Sequence, residues 1–233
     1  MFETRISWTI RIASLAAALF ILWESPLLVP LRVLIIFFHE IFHAAAAFVT
    51  GGGVNGIEIT LYKTGLTSLY GGIPVVVFSA GYVGTALLGS MLIISTHRHP
   101  FKRPLYFVLG TILLLATILF ARNPFGLAYG WTAGLFFLMI VFTDLRFSDI
   151  VTELVGITCV VDGFRDLISF YWRRSGNDAA FLQQLTGVPY DFIVTTWILV
   201  SIILVGVAIA FTLKSISPGN FEELLQIDRK SVV

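Results

Sequence analysis

The chain consists of long apolar segments separated by short polar connections. The hydrocarbon core of a bilayer is about 30 Å thick and takes about 20 apolar residues of a helix. On that scale, seven segments are candidate membrane helices. They run approximately over residues 7–23, 27–49, 73–95, 105–121, 125–142, 148–171 and 192–213. The pattern therefore predicts an all-α polytopic membrane protein with about six or seven transmembrane helices.

One connection, between the second and third segments, differs from the others. Over residues 54–72, apolar Ile57, Ile59 and Leu61 alternate with polar residues, and a turn-like Lys-Thr-Gly sequence follows at 63–65. Alternation with a period of two is typical of a half-buried strand, and two such runs around a turn predict a β-hairpin. Between two membrane helices, the hairpin lies at the interface or enters the bilayer where protein covers its edges.

The composition indicates that the solvent is lipid. Hydrophobic residues make up 57% of the 233 residues and charged residues only 12%, and the mean hydropathy is +0.91. Soluble domains average about 25% charged residues, so a soluble domain is excluded. We expect one multi-pass integral membrane domain over residues 1–233, with a core over 27–213 and a polar tail over 214–233. A lipid bilayer is its predicted environment, and a bacterial inner membrane is the expected location.

Charge and cysteine content exclude further classes of protein. The formal net charge is +1, which gives no electrostatic basis for binding nucleic acid. Cys159 is the only cysteine, so the chain has neither a disulfide framework nor a metal site built from several cysteines. The few polar residues inside the apolar segments are therefore the informative ones.

The second predicted helix contains the sequence His-Glu-Ile-Phe-His at residues 39–43. At 3.6 residues per turn, His39 and His43 lie on one face of the helix, where two imidazoles can hold one zinc ion. Glu40 lies on a neighbouring face, from which its carboxylate can reach a water molecule at the metal. Ionisable groups at mid-membrane are costly unless they face protein, water or a partner. The pattern predicts a hydrolytic zinc site rather than three unrelated polar residues.

A hydrolytic zinc ion takes a third protein ligand and keeps one position open. The sixth predicted helix offers Asp162, Arg165 and Asp166 among apolar residues, and Glu153 on nearly the opposite face and at a much shallower depth. At about 1.5 Å per residue, Asp162 matches the depth of His39 and His43, whereas Asp166 lies nearer the interface. Asp162 is therefore the predicted third ligand. The alternative is an ion pair between Asp162 and Arg165 within the helix, and either Arg165 or Asp166 is a candidate to support the ligands through hydrogen bonds.

Several short sequences occur together in this chain. They are His-Glu-Ile-Phe-His at 39–43, Gly-Gly-Gly-Val at 51–54 before the hairpin, Ser-Ala-Gly-Tyr-Val-Gly at 79–84, Val-Asp-Gly at 161–163 and Asn-Asp-Ala at 177–179. In this combination the chain resembles the site-2-protease clan of intramembrane zinc metalloproteases, and in particular its compact B-like branch. The resemblance extends from about residue 39 to residue 197.

The resemblance implies roles for individual residues. Glu40 would be the general base, Asp162 the third zinc ligand, and Asp178 a further residue of the site. The hairpin would be a re-entrant β element that pairs with an unwound substrate as an added strand. Its candidate substrate-binding residues are Ile57, Ile59 and Leu61. Asn123, in a predicted turn before Pro124, is another candidate for the site.

The expected function is zinc-dependent hydrolysis of peptide bonds in membrane-embedded or membrane-proximal substrates, so the predicted partner is a membrane protein or peptide. Two other classes stay open at this point. A non-catalytic relative would use the metal only as a structural tie in a membrane scaffold. A small transporter would use the buried carboxylates and histidines as an ion or proton path.

Overall fold

A computed structural model gives the architecture of the protein and describes residues 5–61, 64–96, 99–143 and 145–216. Its helices are α1 (Arg5–Ile21), α2 (Val29–Val49), α3 (Pro74–Ser95), α4 (His99–Phe120), α5 (Pro124–Ile140), α6 (Leu145–Ser169), α7 (Asp178–Thr186) and α8 (Tyr190–Ser215), and its strands are β1 (Gly53–Ile59) and β2 (Gly65–Tyr70). A short 3-10 helix, Pro26–Leu28, precedes α2. Lys63 of the predicted turn and residues 217–233 of the predicted tail lie outside the described residues. The helical fold with one small hairpin is confirmed.

The predicted number of membrane spans is not confirmed. Among the described residues, four stretches are long and apolar enough to cross a membrane: Pro26–Val49, Pro74–Ser95, Phe101–Phe120 and Tyr190–Ser215. Helix α5 is apolar but has only 17 residues, and α1 has the same length. Helix α6 has 25 residues, but charged groups from Asp149 to Asp166 are spread along it and lower its hydropathy. Length and charge therefore separate these three helices from the four spans.

Prolines and glycines set the boundaries of the elements around the hairpin. Pro30 occupies the first turn of α2, where its missing N–H costs no hydrogen bond. The helix ends before Gly51, which adopts a positive φ of 83°, a conformation that glycine reaches without steric cost. The chain then enters β1, so α2 and the hairpin are directly connected.

The hairpin lies beside the second half of α2. Strands β1 and β2 pair antiparallel, from Gly53 opposite Tyr70 to Ile59 opposite Gly65. The backbone of Gly65 lies against Glu40 of α2, and Gly72, just after β2, lies against Ala47. Strand β2 therefore runs along α2 in the same direction, with its first residues beside the histidine motif.

The outer edge of β1 is covered by the connection between α4 and α5. The backbone N–H of Arg122 donates to Ile57 O at 3.0 Å, and its side chain donates from Nε to Asn55 O at 3.0 Å. The Asn123 amide pairs with the backbone of Ile59 in both directions, accepting from its N–H at 3.1 Å and donating to its carbonyl at 2.6 Å. These bonds satisfy backbone groups that an open strand edge would expose to lipid.

Helix α3 connects the two halves of the core. On one side it packs against α6, where Gly89 and Gly156 allow a close approach: a Cβ at Gly89 would lie 2.9 Å from Gly156 O. Small residues at such crossings are typical of packed membrane helices. On the other side it packs against α8, where Trp197 Nε1 donates to Ser79 Oγ at 2.8 Å. The first half of α3 thus lies between the elements that form the site.

Helix α7 is short and was not expected from the sequence. Asn177 caps its N-terminus by accepting from Ala180 N–H at 3.0 Å, and Gly187 ends it in the left-handed conformation with φ 73°. Its apolar face, with Ala179 and Leu182, belongs to a buried cluster shared with α3 and α8. This packing fixes Asp178, the first residue of α7, against the core.

Candidate metal centre

The two histidines of α2 direct the same ring nitrogen toward one point. Nε2 of His39 and Nε2 of His43 lie 2.9 Å apart, and the ring centroids lie 4.6 Å apart. This is the arrangement expected for residues four apart on a helix.

A backbone carbonyl fixes the orientation of one of these rings. His43 Nδ1 lies 2.7 Å from Val77 O. A carbonyl oxygen only accepts, so Nδ1–H is the donor, and in the neutral ring the lone pair is then on Nε2. Metal-binding histidines commonly use their second nitrogen in this way, because the bond sets both tautomer and ring orientation. His43 is therefore pre-set to coordinate through Nε2.

The third group at this point is the carboxylate of Asp178. Its Oδ2 lies 3.3 Å from His39 Nε2 and 3.5 Å from His43 Nε2. Ligand atoms about 2.0–2.2 Å from a tetrahedral zinc ion lie roughly 3.3–3.6 Å from one another. The two distances from the Asp178 oxygen match this spacing, whereas the two histidine nitrogens, 2.9 Å apart, would separate by about 0.4 Å to hold zinc. In the described part of the chain, His39, His43 and Asp178 form the one group of three such side chains that could hold a metal ion.

The electrostatics keep Asp178 ionised. Burial acts to raise the pKa of its carboxyl group, but hydrogen bonds and charge from His39 and His43 outweigh burial and hold the pKa well below its usual range. An anionic carboxylate with two imidazoles is a donor set that suits zinc. The residues present therefore fit the metal that the sequence predicts.

A glycine allows α3 to lie directly against the histidines. A Cβ at Gly81 would overlap His39 Nε2 and lie 2.6 Å from His43 Nε2. The next residue, Tyr82, meets the His39 ring edge-on with a centroid separation of 4.6 Å. Gly81 leaves room at the converging nitrogens, and Tyr82 supports the His39 ring.

Glu40 faces the hairpin and is 7% exposed. The Thr67 hydroxyl of β2 donates to Glu40 Oε2 at 2.7 Å. Gly65 lies so close that a Cβ there would overlap Glu40 Oε1 and come within 2.7 Å of Ile36 Cγ2. The base predicted from the sequence is therefore held by the hairpin rather than by another helix.

The histidines, Glu40 and Asp178 open into one cavity of about 640 Å³. Residues 64–69, which include all of β2 except its last residue, form one wall of the cavity. Residues of α6 and of the connection that follows it form another wall. The cavity is large enough to hold several residues of an extended peptide beside the candidate metal ligands.

The structure separates the acidic residues of α6 from the ligand atoms. Asp162 and Asp166 both line the cavity, but neither belongs to the group that contains His39 and His43. Asp166 accepts a hydrogen bond from Tyr82 Oη at 2.8 Å. The carboxylate that lies with the two histidine nitrogens is that of Asp178 from α7. Asp162 as a third ligand stays a prediction from sequence.

Other candidates from the sequence lie away from the cavity. Ile57 and Ile59 are fully buried in the core, Leu61 is 57% exposed, and none of the three lines the cavity. Asn123 binds the backbone of Ile59, as described above. Arg165 turns toward α1 and the residues just after it, where its guanidinium lies over Phe20 and Trp23.

Asp178 had one signal in the sequence besides the resemblance. Asn177 followed by Asp178 and ending at Gly187 is the pattern of a short capped helix. A nine-residue amphipathic helix is too short to be counted as a membrane span by hydropathy. The comparison of depths along the long helices therefore did not include Asp178.

Comparisons with known proteins identify the family. Neither the curated proteins nor the solved structures include a match to this chain. The family model described as Peptidase M50B-like matches residues 12–208, which include the histidine motif, the hairpin, α6 and α7. The chain therefore belongs to the Peptidase M50B-like family.

Proposed function

We propose that this protein is an intramembrane zinc metalloprotease that hydrolyses peptide bonds of membrane-embedded or membrane-proximal proteins or peptides. Membership of a peptidase family supports the reaction class. The observation that carries the proposal is the convergence of His39 Nε2, His43 Nε2 and Asp178 Oδ2 beside Glu40, in a cavity with a strand as its wall.

His39, His43 and Asp178 would hold the zinc ion. When bound at such a site, zinc acidifies water and polarises a carbonyl group. Glu40 takes the proton of the attacking water and later returns it to the nitrogen of the leaving amine, as a general base and then a general acid. The hydroxyl of Thr67 holds Glu40 Oε2, which leaves Oε1 for the proton.

The substrate in this proposal binds along β2. A helical substrate must unwind before a peptide bond reaches Glu40, and its freed backbone groups then need partners in the protein. Addition of a strand to a sheet supplies them. The outer edge of β1 is covered by residues 121–123, whereas β2 lines the cavity. We therefore assign substrate pairing to β2 rather than to Ile57, Ile59 and Leu61.

The test combines zinc analysis with cleavage of a membrane peptide by the purified full chain in liposomes. Glu40→Gln should keep zinc and lose cleavage by at least a thousandfold, because only the proton acceptor is removed. Asp178→Ala should lose both zinc and cleavage. Asp191→Ala, an exposed acidic residue paired with Arg174, is the matched control and should keep both.

Three results would contradict parts of this account. Cleavage by Glu40→Gln at the wild-type rate would overturn the protease mechanism. Loss of zinc from Asp162→Ala, with zinc retained by Asp178→Ala, would transfer the third ligand to α6. A wild-type protein that binds zinc and cleaves no peptide would instead support the scaffold.

A further inference from the structure

A groove lies between α1 and α6, apart from the cavity of the metal centre. It has a volume of about 540 Å³ and is lined mainly by apolar side chains. From α1 these include Ala16, Ala17 and Phe20, and from α6 Val160 and Phe164. The single charged residue in this lining is Arg165, so the groove is an apolar channel with one cation.

The guanidinium of Arg165 interacts with two aromatic rings, with Glu24 and, electrostatically along its own helix, with Asp162. It lies over the rings of Phe20 and Trp23, at 4.8 and 5.4 Å from their centroids. Its ion pair is with Glu24 at 3.7 Å, whose side chain is 74% exposed, and this distance is too long for a hydrogen bond. Within the described residues, no side chain or carbonyl accepts a hydrogen bond from Arg165. The guanidinium donors are therefore available to an anion.

The position of Arg165 near a helix end, beside an exposed tryptophan, is one that suits a lipid headgroup. It lies four residues before the end of α6, which is about 6 Å along the helix axis. Trp172, just beyond the end of α6, lines the same groove and is 77% exposed. Tryptophan at this position is typical of the membrane interface. From Arg165 the groove extends along α6 back to Val160, toward the middle of the helix.

Size and charge together select the occupant. A helix is about 10 Å across and rises 5.4 Å per turn, so roughly one turn would fill the whole groove. The groove is therefore too small to bind a helix of another protein along its length. An extended acyl chain can lie in an apolar groove along two helices, and a phosphate oxygen is a preferred partner of a guanidinium. We propose that this groove binds one anionic phospholipid, with its phosphate on Arg165 and an acyl chain between α1 and α6.

Native mass spectrometry of the delipidated full chain tests this proposal. The titrants are phosphatidylglycerol and phosphatidylcholine with identical acyl chains. We expect one phosphatidylglycerol to bind at least tenfold more tightly than phosphatidylcholine. Arg165→Gln should abolish that preference, and Ala17→Phe, which fills the channel, should weaken both lipids. Arg174→Gln is the control, because Arg174 is paired with Asp191 at 2.8 Å outside the groove.

Thermal unfolding without lipid verifies that each variant folds like the wild type. Phosphatidylglycerol should then raise the unfolding temperature of the wild type and of Arg174→Gln, but not that of Arg165→Gln or Ala17→Phe. Equal binding of the two lipids, or an unchanged preference in Arg165→Gln, would overturn the proposal. Displacement of the lipid by inorganic phosphate would also overturn it, since the acyl chain would then contribute nothing. If Ala17→Phe leaves lipid binding intact but dissociates a dimer, a second copy of the chain covers the groove and the lipid site is wrong.

Discussion

At the scale of single residues, the metal centre depends on the absence of a side chain at Gly81. Replacement by alanine would place a Cβ against His39 Nε2 and 2.6 Å from His43 Nε2. Because α2 and α3 are packed along their length, the rings rather than the helices would move. We expect Gly81→Ala to lower zinc affinity at least tenfold, measured by competition with a fluorescent chelator.

The matched control for Gly81→Ala is Gly206→Ala on α8, where a Cβ would meet nothing within 4 Å. Alanine is the better helix former by about 1 kcal/mol, so this control should be as stable as the wild type or slightly more so. Wild-type zinc affinity in Gly81→Ala would contradict the ligand geometry.

The hydroxyl of Thr67 is a positioning group for Glu40. A hydrogen bond to a charged group contributes about 1.5–3 kcal/mol, which corresponds to about tenfold to a hundredfold in rate. Thr67→Val keeps the shape of the side chain and removes the donor, so kcat should fall by that factor while zinc content stays constant. Thr67→Ser keeps the hydroxyl and should restore most of the rate. An equal loss in both variants would show that packing, not the hydrogen bond, is what matters at this position.

Residues four apart were predictable because their geometry is local. The positions of His39, Glu40 and His43 on α2 follow from the helix repeat alone. The position of Asp178 does not, because it depends on how α7 packs against α3 and α8. The depth argument compared long helices only, and it therefore selected Asp162, which lines the cavity without joining the group of ligand atoms.

At the scale of elements, Asn123 is the side chain that closes β1. Asn123→Ala removes two hydrogen bonds to Ile59, each contributing about 1 kcal/mol. We expect the free energy of unfolding in detergent to fall by roughly 1–3 kcal/mol, measured by denaturant titration. Thr132→Ala on α5, where an exposed hydroxyl bonds within its own helix, should change it by less than about 0.5 kcal/mol. A similar effect in both variants would contradict the special role of this edge.

The hairpin itself was predictable, but its orientation was not. Alternation of apolar and polar residues determines which face of a strand is buried. It says nothing about which edge is paired, since that depends on residues 121–123, far away in sequence. For this reason the sequence assigned substrate contacts to Ile57, Ile59 and Leu61, whereas β2 lines the cavity.

At the scale of the whole molecule, zinc would connect α2 with α7 and stabilise their packing. A ligand present at about a hundred times its dissociation constant stabilises the folded state by about 2.7 kcal/mol. In a chain of this size that is an increase of about 5–10 °C in unfolding temperature. We expect chelation to remove this increase in the wild type and in Asp191→Ala, and to change nothing in Asp178→Ala. A chelator effect that survives in Asp178→Ala would place the metal elsewhere.

The family and the helical membrane fold were predictable because both follow from composition and from a few short motifs. The number of spans was not, because hydropathy does not distinguish a lipid-facing helix from one packed inside the protein. Helix α6 shows this. Helix α6 is not among the candidate spans, because charged groups lower its hydropathy. It nevertheless packs closely against the span α3, where Gly89 and Gly156 meet.

The order of synthesis gives the position of α7 another meaning. More than half of the chain separates His43 from Asp178, so a ribosome makes both histidines and Glu40 long before Asp178. Until α7 emerges and docks, the nascent protein has the two imidazoles and Glu40 without the carboxylate of Asp178. Under the proposed function, such a chain would hold zinc weakly and would cleave no peptide until α7 is in place.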